Sequence, residues 1–181
     1  MGNPETNETA ENYIILLDGP KGSGKSSVTE ELKKKLPELK ALSLDEIRRE
    51  DPNSTTNAEY NQRAFNELIS RLRENIREQQ NTVIDCGLTR EKLTQLEEAV
   101  SQTKARLHKF FLAAPEEVLL ERVRKRDKSN GRSTDEARFK EIYVLLHSKS
   151  KDFPCYSIID TNEESPEKIA AEIIKQLRRY N

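Results

Sequence analysis

The sequence has no tryptophan, one methionine and two cysteines, and its aromatic content is only 6%. Cys86 and Cys155 make no disulfide framework, and no Cys/His cluster has the spacing of a metal site. An excess of charge of one sign is also missing. The 31 Lys and Arg residues stand against 32 Asp and Glu, a net −1, which removes any whole-molecule polyelectrolyte argument for nucleic-acid binding. No stretch approaches the roughly 20 apolar residues that span a bilayer. Met1 to Asn12 is polar and has no apolar core of a secretory signal. The opening Met1-Gly2-Asn3-Pro4-Glu5-Thr6 formally fits an N-myristoylation pattern, but the composition of residues 1–12 reads as a disordered tail. What is present is 181 residues, 34% hydrophobic and 35% charged. That is enough for one domain with an economical core. The expectation is a soluble, cytoplasmic protein with no membrane partner, folded as a single domain over residues 13–181.

Apolar runs alternate with amphipathic periods along the chain, and that alternation is an α/β signal. Tyr13-Ile14-Ile15-Leu16-Leu17 is short, continuous and partly β-branched, as a strand buried on both faces should be. A glycine-rich turn follows, then a helix from about Lys25 to Leu36 that Pro37 stops. Ala41 to Leu44 reads as a second strand. The stretch from Asp45 to Gln80 is mostly helical, with a break at Asp51-Pro52 and a capping box at Thr56-x-x-Glu59. Phe65, Leu68, Ile69, Leu72 and Ile76 form the apolar stripe of its longer helix. Thr82 to Asp85 is a third strand, Thr89 caps a helix, and His108 to Leu112 is a fourth strand. Pro115 sits in the first turn of a helix to about Lys125. Ser133-x-x-Glu136 is a second capping box, opening a helix to about His147. Tyr156 to Asp160 is the fifth strand, and Ser165-Pro166 opens the last helix. Five strands joined by helices require right-handed crossovers and a parallel sheet.

The strongest chemical signal lies between the first strand and the first helix. Gly19-Pro20-Lys21-Gly22-Ser23-Gly24-Lys25-Ser26 matches G-x-x-x-x-G-K-[ST] at every fixed position. Glycines let successive backbone N–H groups turn toward phosphate oxygens, and the helix that follows adds its positive dipole end. Gly19, Lys21, Gly22, Ser23, Gly24, Lys25, Ser26 and Ser27 are therefore candidate ATP-binding residues. Lys25 has the role of neutralising the β- and γ-phosphates, and the Ser26 hydroxyl that of ligating Mg2+. Lys21 is an unusual cation within the loop, which either touches a phosphate or points to solvent.

Motifs that name other reactions are missing. There is no N-K-x-D for reading guanine and no L-S-G-G-Q. The third strand ends in Asp85-Cys86 rather than in the Asp-Glu pair with which motor proteins activate water. Phosphoryl transfer to an acceptor is left, and three features agree with it. Asp45 and Arg48 lie one helical turn apart after the second strand, placed for a general base and an anion holder. Asp85 ends a strand expected beside the phosphate loop, where it holds Mg2+-bound water or orients the acceptor. The segment from Glu121 to Arg132 carries six basic residues against two acidic ones. Its Arg122, Arg126 and Arg132 suit a mobile lid, about residues 122–136, that closes over the γ-phosphate. Catalysis is expected of Lys25, Asp45 and Arg126. His108 and His147 belong to no recognisable triad, and Cys86 reads as a small buried residue.

With these features the chain resembles the phosphate-loop kinase superfamily from Tyr13 to about Arg179. Closest in pattern are the polynucleotide 5′-hydroxyl kinases and the small kinases labelled AAA-domain kinases. The resemblance implies a three-layer fold with sheet order 2-3-1-4-5, helices on both faces and an arginine-bearing lid. It implies a general base at Asp45 and an acceptor-phosphate arginine at Arg48, within a helical acceptor region at about 45–80. The family's Asp-x-Thr-Asn-Leu-Thr-Arg appears here as Asp85-Cys86-Gly87-Leu88-Thr89-Arg90, one residue shorter and without the Thr-Asn pair. Asp85 and Arg90 join Asp45 and Arg48 as acceptor-binding candidates. Adenylate kinase is similar in its Asp-x-x-Arg and paired lid arginines, and would place Arg122 near adenine with Arg126 and Arg132 on phosphates. Chloramphenicol phosphotransferase is similar in its second-strand Asp and loop lengths. The implied activity is ATP- and Mg2+-dependent transfer to a hydroxyl, of a polynucleotide end or a nucleoside-like molecule. The alternatives are a nucleoside monophosphate kinase and a nucleotide-sensing module with little turnover.

Overall fold

The computed structural model describes residues 12–50, 58–152 and 156–179, and the side chains of 149–152 are not among those described. The expected tail to residue 11, the Asp51-Pro52 break, the Thr56 cap and Cys155 lie outside the described residues.

The first apolar run forms β1 (Tyr13–Asp18), and the pattern of its burial sets the architecture. Ile14, Ile15, Leu16 and Leu17 are all fully buried, but they face two different cores. Ile14 and Leu16 join one apolar cluster, while Ile15 and Leu17 join the other, because successive strand side chains point to opposite faces. Strand β1 is therefore the centre of a three-layer molecule. It pairs in parallel with β3 (Thr82–Asp85) on one side and β4 (Arg106–Ala113) on the other. β2 (Lys40–Ser43) and β5 (Ser157–Asp160) complete a sheet of order β2-β3-β1-β4-β5. This is the order implied by the resemblance.

On one face lie α1 (Lys25–Lys35) and α7 (Pro166–Leu177), which bury Val28, Leu32, Ile169 and Ile173. The other face is covered by α2 (Leu44–Glu50), α3 (Ala58–Arg77) and α4 (Arg90–Ser101). The α3 stripe Phe65, Leu68 and Leu72 is fully buried there. The caps follow the sequence: Thr89 accepts from the Lys92 N–H and Ser165 from the Lys168 N–H. α5 (Glu116–Ser129) and α6 (Glu136–Asp152) form a smaller third cluster through Leu119, Leu120, Val123 and Phe139.

Several expected boundaries move. β2 stops at Ser43, and Leu44 turns into the core as the first residue of α2. Tyr156 precedes β5 rather than starting it. The basic segment expected to be flexible from Arg126 is helical through Ser129. Leu120, Val123 and Asp127 are buried along that face, and the Asn130 N–H closes the end on the Arg126 and Asp127 carbonyls. The second capping box is also displaced. α6 starts at Glu136, and the Asp135 carboxylate, not Ser133, accepts the Arg138 N–H.

Candidate active site

The C-terminal ends of β1, β2 and β3 and the start of α1 converge on one cleft, as open parallel sheets require of a ligand site. The loop from Gly19 to Gly24 joins β1 to α1. Gly22 sits at φ 87°, and a Cβ there would stand 2.7 Å from the Leu119 carbonyl oxygen, so a side chain is excluded twice over. Gly24 caps α1 at φ 90° with no side chain accepting from the first turn, and that turn contains no acidic residue. Unsatisfied helix N–H groups are thus left pointing into the cleft.

Lys25 Nζ donates to the carbonyls of Gly19 (2.9 Å) and Pro20 (3.0 Å), folding the cation back across its own loop. Ser26 Oγ donates to Asp85 Oδ2 at 2.6 Å. Burial raises the Asp85 pKa above its ordinary value; Lys25 and the Ser26 hydroxyl oppose the rise, while Asp45 and Glu46 add to it. Ser23 Oγ is buried without a hydrogen-bond partner. An orphaned hydroxyl, an uncapped helix start and a lysine held only by carbonyls fit a polyphosphate. The Ser26 hydroxyl beside a carboxylate fits a hard divalent cation with water between.

Asp45 and Arg48 pair at 2.9 Å on α2, with Asp45 72% exposed. Arg48 Nε is buried and has no hydrogen-bond partner. Arg90 is exposed at the first position of α4. The three lid arginines do not act alike. Arg122 is tied by its guanidinium to the carbonyls of Thr161 (2.7 Å) and Asn162 (3.0 Å), in the loop between β5 and α7. Arg126 is half-exposed beside Asp127 at 3.7 Å. Arg132 lines a cavity of about 240 Å3 with Pro20, Lys21 and Arg138. Lys21 neither points freely outward nor bonds within the loop; it pairs with the buried carboxylate of Asp127 at 3.6 Å. Burial raises the Asp127 pKa, but the Thr134 hydroxyl and the Lys21 and Arg126 cations outweigh it, and the group titrates below its ordinary value.

Three residues went unread in the sequence. Asp18 is fully buried at the end of β1, where it accepts from the N–H groups of Gly19 (2.7 Å) and Leu88 (3.3 Å) and from the Tyr156 hydroxyl (2.6 Å). It fixes the loop's departure from the strand. The available signal was a carboxylate ending an otherwise unbroken apolar run. Tyr156 lies 138 residues away and left no local trace. Lys92, on α4, left none either; its Nζ donates to the Asn61 carbonyl on α3 at 3.1 Å.

Fold and loop together define a phosphate-loop nucleotide-binding protein of the kinase type of fold. The chain belongs to the AAA domain family, which it matches over residues 14–143. No curated protein matches the sequence. Among solved structures, a chain of the Pnkp1/Rnl/Hen1 RNA repair complex superposes with a TM-score of 0.73 at 17% identity. That alignment covers 90% of this chain and 53% of the other, so this chain spans about half its length. A gluconokinase from Sinorhizobium meliloti 1021 gives 0.64 at 20% identity, covering 93% of each chain. Shikimate kinase from Acinetobacter baumannii, in complex with shikimate, gives 0.67 at 18% identity over 94% of this chain and 95% of that one. At these identities the likeness is one of fold. No helix among the described residues is long and apolar enough to cross a membrane.

Proposed function

We propose that this protein is an ATP- and Mg2+-dependent kinase that phosphorylates a hydroxyl group, of a polynucleotide 5′ end or a nucleoside-like molecule. The observation that carries the reading is the meeting of Lys25, Ser26, Asp85 and Asp45 at one end of the sheet, close enough that Lys25 and Asp45 both act on the Asp85 carboxyl. ATP bound with Mg2+ supplies the phosphoryl group. Lys25 exchanges its two carbonyl partners for phosphate oxygens and spreads the charge that builds during transfer. Ser26 and Asp85 hold the metal, the latter through water. Asp45 accepts the acceptor hydroxyl's proton as the new O–P bond forms and the bond to the leaving ADP breaks. Arg48 and Arg90 face the acceptor. Arg122, anchored to the Thr161–Asn162 loop, borders the adenine, while Arg126 and Arg132 serve the phosphates from the lid.

The test is a panel of alcohols, oligonucleotide 5′ ends and nucleoside monophosphates incubated with radiolabelled ATP, with wild-type protein and Asp45→Asn. Labelling of a hydroxyl, with kcat reduced about 10²–10⁴-fold in the variant, is the expected result. Labelling of a monophosphate with kcat intact in Asp45→Asn identifies a monophosphate kinase instead. Nucleotide binding without label on any acceptor identifies a sensing module.

A further inference from the structure

Asp127 is a buried carboxylate of helix α5 to which the proposed reaction gives no task. Its Oδ2 accepts from the Thr134 hydroxyl at 3.1 Å and lies 3.6 Å from Lys21 Nζ, in the phosphate loop. Its Oδ1 lies 3.7 Å from the guanidinium of Arg126, one residue back along the helix. The main-chain carbonyl of the same residue accepts the Asn130 and Arg132 N–H groups at 3.1 and 2.8 Å, which ties the lid turn to it. Phosphate loop, helix and lid therefore meet on one residue.

The two ion pairs differ in kind from the hydroxyl contact. At 3.6 and 3.7 Å they are longer than hydrogen bonds, so neither cation has committed an N–H donor to the carboxylate. Lys21 and Arg126 keep those donors for another oxygen, and their side chains are 53% and 50% exposed against 10% for Asp127. Lys21, Asp127 and Arg132 also line the cavity of about 240 Å3 beside Pro20, so there is space next to the pair. Two cations from different elements converge on this carboxylate as they would on a phosphate.

We propose that Asp127 is a positioning residue that stands in for phosphate before nucleotide binds: its carboxylate gathers Lys21 and Arg126 and yields both to the phosphates of ATP. It weakens ATP binding, because it competes for the two cations. It speeds transfer, because Arg126 reaches the phosphates already placed. The inference rests on the kinase reading above for the transfer step, while the competition belongs to nucleotide binding and can be tested without an acceptor.

The experiment compares wild-type protein with Asp127→Asn, which keeps the shape and the acceptor for Thr134 but removes the charge. Titration calorimetry with a non-hydrolysable ATP analogue and Mg2+ should give a Kd about 2–10-fold lower in the variant, the size of two part-exposed ion pairs. Turnover on the acceptor found by the panel above should move the other way. There kcat should fall about 10–100-fold, because Arg126 is no longer held in place. A carboxylate that only braces the lid would, once neutralised, weaken binding and turnover together with the melting temperature. A double-mutant cycle identifies the shared cation: Lys21→Met should weaken analogue binding more in the Asp127→Asn background, where no internal anion shares the lysine, than in wild type. Asp127→Ser, a second neutral replacement, guards against a folding defect peculiar to the amide, and thermal melts verify both. Tighter analogue binding coupled to Lys21, with no transfer to any acceptor, leaves the exchange standing and removes the kinase reading. Unchanged or weaker binding in the folded neutral variants, an intact kcat, or no coupling to Lys21 overturns the exchange and leaves the kinase.

Discussion

Asp85 shows how a residue fitted to a ligand weakens the unliganded fold. Burial raises its pKa above the ordinary aspartate value of 3.8, so between those two values the folded protein holds more protons than the unfolded chain. The stabilising contribution is complete below 3.8 and is lost as pH rises through the raised value. Above the raised value the ionised carboxylate is therefore a net cost. Asp85→Asn should melt higher than wild type at pH 7, with the gap closing as pH falls toward 3.8, while Mg2+-ATP turnover is lost. Calorimetric melts across that range check the sign, and a lower melting temperature at pH 7 would refute it. The Tyr156 hydroxyl has the opposite character. Tyr156→Phe removes a donor from the buried Asp18 Oδ2 and should cost about 1–3 kcal/mol in denaturant unfolding. ATP affinity should fall with it, because Asp18 also accepts the Gly19 N–H. The nucleotide loop was legible in the sequence because its parts are contiguous and each is tied to one backbone requirement. Asp18, Tyr156 and Lys92 were not, because their partners in space lie tens of residues away.

The strands and most caps could be read directly, since burial on both faces demands unbroken apolar runs and a cap must sit next to its helix. The lid could be read in composition but not in shape. A basic, polar run looked flexible; yet Asp127, at its centre, is buried between Lys21 and Thr134, which carries helix α5 on to Ser129. What is left to move is shorter than expected: of the six residues between α5 and α6, Asn130, Gly131 and Arg132 bond back to α5 carbonyls, which leaves Ser133 to Asp135. Hydrogen exchange should accordingly divide the segment. Residues 124–132 should be protected with or without nucleotide, since the Asn130, Gly131 and Arg132 N–H groups already bond to α5 carbonyls, and residues 133–135 only once a non-hydrolysable ATP analogue is bound. Uniform rapid exchange across 124–135 in the free protein would contradict the helical extension. Arg126→Ala should lower kcat by about 10²-fold with a smaller loss of ATP affinity, since its guanidinium matters most as charge shifts during transfer. Equal losses in both would make Arg126 a binding residue only.

Considered whole, the molecule is a sheet carrying a loop braced by its own lysine. Lys25 bonded to two loop carbonyls keeps that loop ordered before nucleotide arrives, so binding should need little rearrangement. A non-hydrolysable ATP analogue with Mg2+ at about 100 times its Kd should stabilise the protein by about 2.7 kcal/mol. Lys25→Ala should retain the far-ultraviolet spectrum and most of the melting temperature, but lose the analogue-induced shift and ATP turnover; an undiminished shift would argue against the nucleotide site. The sheet order also bears on how the chain reaches this state. β1 is made early but lies at the centre, paired with residues from Thr82 and from Arg106 onward. As the ribosome extends the chain at about 5–20 residues per second, Ile14 to Leu17 must wait several seconds for the strands that will flank them. Until Thr82–Asp85 emerge the most apolar segment of the protein is unpaired on both sides, and until Arg106–Ala113 follow it is unpaired on one. Folding of this domain is thus timed by the emergence of β4, and the nascent chain is most vulnerable to aggregation before residue 113 has left the exit tunnel.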